Sequence, residues 1–313
     1  RIGRRKIFVF FGYLFSFIFK FFIGLASSWQ QLLGFVSFER IGKFRDAPRD
    51  AIIADSLKNR GRNFGIIQML DTAGAIVGTL IVLFLLYKFS LDYKTIIFLA
   101  ASVSFLSLFP IIFVKEQKAK PIKRSLLWGV KNLDKRLKYF VFVASVFSLA
   151  NFGLYMFLLL IAKDMTGGMI YPLAFYILFN VVFAIFVEPF GELSDKLGRK
   201  KILFLGYLLF FFVALGFIYS ENILHLFLLF PLYGLVYAIT HSSQKALVSD
   251  LAKDAKGTAL GFFHMATGLI AIPGGLIAGL LWNISQDLMF AYLALVALIA
   301  FILLFFVKEK RNN

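Results

Sequence analysis

The sequence predicts an all-α integral membrane protein with ten transmembrane helices, on three observations. Of its 313 residues 60% are hydrophobic and 41 are phenylalanine, with a mean hydropathy of +0.83; a water-soluble domain holds roughly 45–50% apolar residues. Apolar runs long enough to cross a bilayer, each needing roughly 20 residues, fall at 7–27, 29–55, 64–87, 95–114, 139–163, 170–190, 202–220, 223–250, 258–283 and 288–307. Finally, Lys and Arg concentrate in alternate connections, as cytoplasmic loops require.

That charge pattern gives the sidedness. With 1–6, 58–62, 115–138, 191–201, 252–257 and 308–313 inside, these segments carry a net +19, while the outer connections carry −1. The asymmetry accounts for the whole formal charge of +17, so a nucleic-acid partner has no support. A multi-pass protein of the cell membrane is expected, with its N-terminus, the segment 115–138 and its C-terminus in the cytoplasm and anionic headgroups as partners there. A monomer is expected. Cysteine is absent, which removes disulfides and thiolate chemistry.

The chain repeats itself. GRRKIFVFFGYL at 3–14 returns as GRKKILFLGYL at 198–208, and Ala51–Asp55 aligns with Ala246–Asp250 at the same shift of 195 residues. A duplicated bundle is one way transporters are built. The second copy opens at 139, so the first should open about two spans ahead of Arg1, a residue that itself points to a truncated start. Twelve helices as six plus six are expected for the intact protein. Here 1–114 is the remainder of the first half, 115–138 a basic linker and 139–313 the second half. Leu126, Leu127, Trp128 and Val130 among lysines also suit a linker helix lying on the headgroups.

Ionisable groups at membrane depth are costly and mark function by default. Glu39, Arg40, Lys43, Arg45, Asp46, Arg49 and Asp50 fall in the second span, where Glu39 and Lys43 are four apart on one face. Arg40 reaches mid-membrane and should face a cavity, while Asp50 and Asp55 reach the cytoplasmic end. These charges could gate that side, contact substrate or a proton, or reach the interface. Asp71 lies two turns into the third span, followed by Gly74 and Gly78, whose spacing suits close helix packing. It could take a proton or pair with another helix. In the second half Asn151 and Tyr155 share a face at i, i+4, as do Tyr233 and Tyr237, which suits either a polar solute or interhelical hydrogen bonds. His241 and Gln244 lie toward the inner end of that second helix, and His264 two turns into the next. Histidine titrates near neutrality and could carry a coupling proton, but three histidines without a carboxylate at ligand spacing make no metal site. Pro231 and Pro273-Gly274-Gly275 should loosen their helices.

The densest charge lies in GELSDKLGRKK at 191–201, read as a short loop between two apolar runs. Its Gly191, Asp195, Lys196, Gly198, Arg199, Lys200 and Lys201 resemble the cytoplasmic loop signature of the major facilitator superfamily. Of the first copy Gly3, Arg4, Arg5 and Lys6 remain. Arg40 matches the arginine of that family's fourth helix, associated there with proton coupling, although Phe44 stands where a glycine is usual. Gly65, Gly74 and Gly78 match its drug and proton antiporters, with Ala75 and Thr79 replacing a proline and a glycine. The resemblance covers essentially the full chain. It implies the major facilitator fold, a central cavity lined in part by the helices of Asn151, Tyr155, Tyr233, Tyr237, His241 and Gln244, and alternating access by rocking halves.

A secondary active transporter is therefore expected, exporting a small solute in exchange for protons, with the proton gradient rather than any cofactor as its energy source. Arg40, Glu39, Asp71 and His264 are the proton-coupling candidates. Ser194 and Asp195 suit stabilisation of a neighbouring helix N-terminus, making the signature, with Arg4, Arg5, Asp55 and Asp250, a cytoplasmic latch. A uniporter or symporter importing a polar solute, a receptor-like remnant and a membrane enzyme are the alternatives. The enzyme lacks any HExxH, GxSxG, GxxxxGK[ST] or CxxC motif.

Overall fold

A computed structural model describes residues 5–56, 59–114, 130–167, 170–252 and 255–308, all of them helical or in short connections. Among these residues nine helices are long and apolar enough to cross a membrane. The chain divides into two compact units, one of residues 1–56 and 77–128 and a larger one of 57–76 and 129–313.

In the smaller unit α1 (Arg5–Leu25) is central, packing against α2 (Trp29–Ile41), α3 (Asp46–Ser56), α5 (Tyr93–Leu106) and α6 (Leu108–Phe113). The second expected span, 29–55, is not one helix: α2 and α3 are joined by a 3₁₀ turn over Gly42–Arg45. Its cause lies in α1. A Cβ at Gly12 would sit 2.9 Å from the Gly42 carbonyl oxygen, so the two backbones meet there. Arg45 fastens the turn, donating to the carbonyls of Gly12 (3.2 Å) and Gly42 (3.1 Å) with its guanidinium 4.3 Å from the Tyr13 ring centroid. Lys6 ties the start of α1 to the end of α6 by donating to the Ile112 and Val114 carbonyls.

The larger unit contains α7 (Lys135–Ala150), α8 (Tyr155–Thr166), α9 (Ile170–Leu197), α10 (Arg199–Ile218), α11 (Ile223–Leu251), α12 (Lys256–Ile284) and α13 (Gln286–Leu304), with the first part of α4 (Arg60–Phe89). The pairs α9–α11, α10–α13, α10–α11 and α7–α12 form its body. Large buried aromatics fill it: Tyr207 lies flat on Phe147 at 3.9 Å, and Phe175, Phe210, Phe230 and Phe290 are buried around them.

Three local expectations need correction here. Asn151 and Tyr155 do not share one helix, because the chain leaves α7 at Ala150 and turns through Gly153 at φ +108° before α8 begins; only glycine takes that angle without strain. Pro231 and Pro273 leave α11 and α12 unbroken, as Pro189 does α9. The glycines beside Pro273 instead allow approach: a Cβ at Gly274 would meet the Leu149 carbonyl oxygen at 2.8 Å. The third correction concerns the charged segment at 191–201. It is no loop. Helix α9 runs through Gly191 and Asp195 to Leu197, and the single residue Gly198, at φ +100°, turns the chain into α10.

Candidate functional site

The signature residues converge on the first turn of α4. Helix N-termini expose amide groups without partners inside the helix, and two of these find Asp195: the N–H of Gly61 donates to one carboxylate oxygen at 3.1 Å and that of Arg62 to the other at 2.9 Å. Such a bidentate seat requires the two backbones to touch. They do so at Gly61 and Gly191, where a Cβ on either would overlap the other's carbonyl oxygen, and again at Gly65, where a Cβ would lie 2.7 Å from the Val187 carbonyl oxygen.

Charges then alternate away from Asp195. Arg199 is buried, paired with Asp195 on one side and donating to Asp250 (3.0 Å) and the Ser194 hydroxyl (2.8 Å) on the other. Ser194 donates in turn to the Gly191 carbonyl at 2.8 Å. Asp250 also pairs with Arg60, so Arg60, Asp250, Arg199 and Asp195 form one chain of opposite charges that ends on the α4 amides. On the outer side of the turn Arg62 donates to Glu188 at 2.8 Å and lies 3.9 Å from Glu192, which holds Lys196 at 2.7 Å. Low-dielectric surroundings and bidentate geometry strengthen such pairs.

Of the remaining signature residues, Lys200 faces away from this cluster, donating to the Phe305 carbonyl at 2.7 Å. In the smaller unit Arg5 pairs with Asp55 and donates to the Ala51 carbonyl at 3.1 Å. Arg4 and residues 115–129 of the expected linker lie outside the described residues.

The polar groups at depth separate. Asn151, at the break after α7, accepts a hydrogen bond from the Tyr233 hydroxyl at 2.8 Å. The Tyr233 ring is 5.2 Å from that of Tyr237, and Tyr155 is 5.9 Å from Tyr176, giving an aromatic group floored by Phe179. Gln244 donates to the buried Tyr207 hydroxyl at 3.0 Å, and His241 lies against Phe183. His264 sits half-buried beside Phe263. In the smaller unit Ser16 donates to Glu39, while the Arg40 side chain is 63% exposed and 3.9 Å from Glu39. Asp71 is exposed, and a Cβ at Gly74 or Gly78 would meet nothing within 4 Å, so these glycines serve no close packing among the described residues.

Sequence reasoning missed Gly61, Arg60, Arg62 and Glu188. The signal was the basic segment at 58–62, whose positive charge has no use in a free loop once two carboxylates one helical turn apart, Glu188 and Glu192, are available.

The family profile of the Major Facilitator Superfamily matches residues 1–187 and 140–313. The chain belongs to this superfamily. An MFS-type transporter of Methanocaldococcus jannaschii is 46% identical over 98% of the chain and 79% of the relative. The multidrug resistance protein MdtH of Aeromonas salmonicida is 23% identical over 77% of the chain, which spans only 62% of that relative. Among solved structures the human organic anion transporter MFSD10 superposes with a TM-score of 0.81 at 16% identity, covering 96% of the chain and 77% of its own. The Escherichia coli fucose:proton symporter FucP gives 0.73 at 13% identity, covering 98% and 84%. These two likenesses concern the fold. The chain is thus a multi-pass membrane transporter of the secondary type, not an enzyme, and its substrate is a small molecule.

Proposed function

We propose that this major facilitator protein exports a small solute in exchange for protons by alternating access, and that the Asp195 cluster is the latch that holds its cytoplasmic side shut. The observation that carries the reading is the seat of Asp195 on two amides of the first turn of α4. In the division suggested by the repeat, α4 belongs to the first half of the protein and α9 to the second. Opening the cytoplasmic side then requires Asp195 to leave those amides and Arg62 to leave Glu188. A carboxylate at a helix N-terminus contributes about 0.3–2 kcal/mol, and a coupling of about 1–3 kcal/mol shifts a two-state population some 5–150-fold. The cluster is of the right size to bias an equilibrium without freezing it.

Export is favoured by the kinship with a protein named for multidrug resistance. Arg40, Glu39, Asp71 and His264 are the proposed proton-coupling groups, and Asn151, Tyr155, Tyr233, Tyr237, His241 and Gln244 the proposed solute contacts. The protein works as a monomer in the cell membrane, with its N-terminus, residues 115–138 and C-terminus in the cytoplasm among anionic headgroups.

Reconstituted vesicles test this, with trapped pyranine reporting pH and ethidium as the solute. An imposed pH gradient should drive ethidium against its own gradient with counterflow of protons. Ethidium movement that is indifferent to the pH gradient and to a protonophore would overturn proton-coupled export.

A further inference from the structure

The larger unit carries a second basic site, separate from the latch. A cleft of about 640 Å³ opens between the starts of α7 and α10 and the end of α13, lined by Arg136, Lys200, Phe305, Phe306, Val307 and Lys308. Three of these six are cations, contributed by α7, α10 and the segment after α13, and none is acidic. Asp134, two residues before Arg136, is turned onto its own helix, where it caps α7 by accepting the Arg136 N–H at 2.9 Å; Glu309, next to Lys308, lies outside the described residues. Among the described residues Arg136 and Lys308 enter no ion pair, whereas the adjoining Arg199 is committed to Asp195 and Asp250. Lys200 is fixed in place: its ammonium donates to the Phe305 carbonyl and lies 5.6 Å from the Phe204 ring centroid. Beside the cations Phe305 and Phe306 are 57% and 67% exposed.

We propose that this cleft binds the phosphate of an anionic membrane lipid. Like charges gathered without a counter-charge among the described residues favour an anion, a lipid phosphodiester's two unesterified oxygens can each accept more than one hydrogen bond and so engage three cations, and exposed phenyl rings at the mouth suit an acyl chain rather than water. A free phosphate ester offers at least as much charge but leaves the rings idle. Placing this end at the cytoplasmic leaflet, where anionic lipid is attracted by basic residues, rests on the orientation proposed above. Lipid binding is read without any transport measurement, so either reading can fail alone.

The full chain is placed in phosphatidylcholine nanodiscs with and without phosphatidylglycerol, and retained lipid is counted by native mass spectrometry. One phosphatidylglycerol should stay bound, and Arg136→Gln with Lys308→Gln should weaken it about thirtyfold, from two contacts each of roughly the strength of a surface cation on an anionic membrane. Neither side chain is hydrogen-bonded among the described residues, and Lys308→Gln alone, lying beyond α13, should give about fivefold. Lys88→Gln with Lys94→Gln, the same charge loss elsewhere, should change nothing. Glycerol phosphate at millimolar concentration should not displace the lipid. If it binds and no lipid is retained, the phosphate site stands and its source is soluble rather than membranous, which overturns the lipid assignment. Equal lipid retention by the wild type and the double variant, or equal loss with the Lys88 and Lys94 pair, overturns the site.

Discussion

Asp195 accepts the backbone N–H of Arg62 at 2.9 Å across 133 residues of sequence. That bond joins the end of one spanning helix to the beginning of another, and it depends on charge. Asp195→Asn keeps the shape and removes the charge. It should destabilise the folded transporter by about 1–2 kcal/mol and expose the end of α9 that meets α4. The chain has no cysteine of its own, so Ser194→Cys, close in shape and buried in the closed cluster, provides a single reporter. Its labelling by a membrane-impermeant maleimide should rise in the Asp195→Asn background; unchanged labelling contradicts the latch.

Gly61 and Gly191 are needed for approach rather than for flexibility. Gly61→Ala puts a methyl group into the Gly191 carbonyl, and overpacking of this kind costs about 1–3 kcal/mol, outweighing the gain of roughly 1 kcal/mol that alanine brings to a helix. Gly74→Ala in the same helix meets nothing within 4 Å. Thermal unfolding in detergent should therefore fall for Gly61→Ala and hold or rise for Gly74→Ala.

Much of this protein is legible in its sequence, and the exceptions have physical causes. Hydropathy marks every long helix because lipid demands long apolar runs. It cannot register Gly153 or the 3₁₀ turn at Gly42, since one backbone angle or one tightened turn leaves composition unchanged. Charge density reads as a loop at 191–201, yet Glu192, Asp195 and Lys196 are all good company for a helix that runs past the apolar zone, and only Gly198 breaks it. The acceptor role of Asp195 follows from its residue type; its donors, Gly61 and Arg62, lie over 130 residues away, and no local pattern joins them.

Gly198 holds φ +100°, which L side chains rarely adopt. Gly198→Ala should cost about 1–3 kcal/mol from backbone strain, displace Arg199 from Asp250, and lower the unfolding temperature more than Gly216→Ala, where the clash is with the flexible Leu229 side chain. Similar losses at the two positions would contradict the strain argument.

The Tyr233–Asn151 bond gives an unequal pair of variants. Tyr233→Phe removes a donor and leaves Asn151, which is half-buried, able to turn elsewhere, costing about 0.5–1.5 kcal/mol. Asn151→Ala leaves the hydroxyl of a wholly buried tyrosine without its Asn151 acceptor and dependent on the neighbouring Tyr237 hydroxyl, costing about 1–3 kcal/mol. Chemical denaturation of both variants should rank them in that order. The reverse ranking would mean that Tyr233 finds another acceptor.

The proposal that the cytoplasmic side opens by parting α4 from α9 is tested most directly by tying them together. Arg62 approaches Glu192 at 3.9 Å, so Arg62→Cys with Glu192→Cys in this cysteine-free chain can be joined by a short bifunctional thiol reagent with a reducible link. Proton-driven ethidium flux in vesicles should stop on cross-linking and return on reduction, while each single variant treated alike keeps its flux. Undiminished flux in the cross-linked double variant would contradict the account.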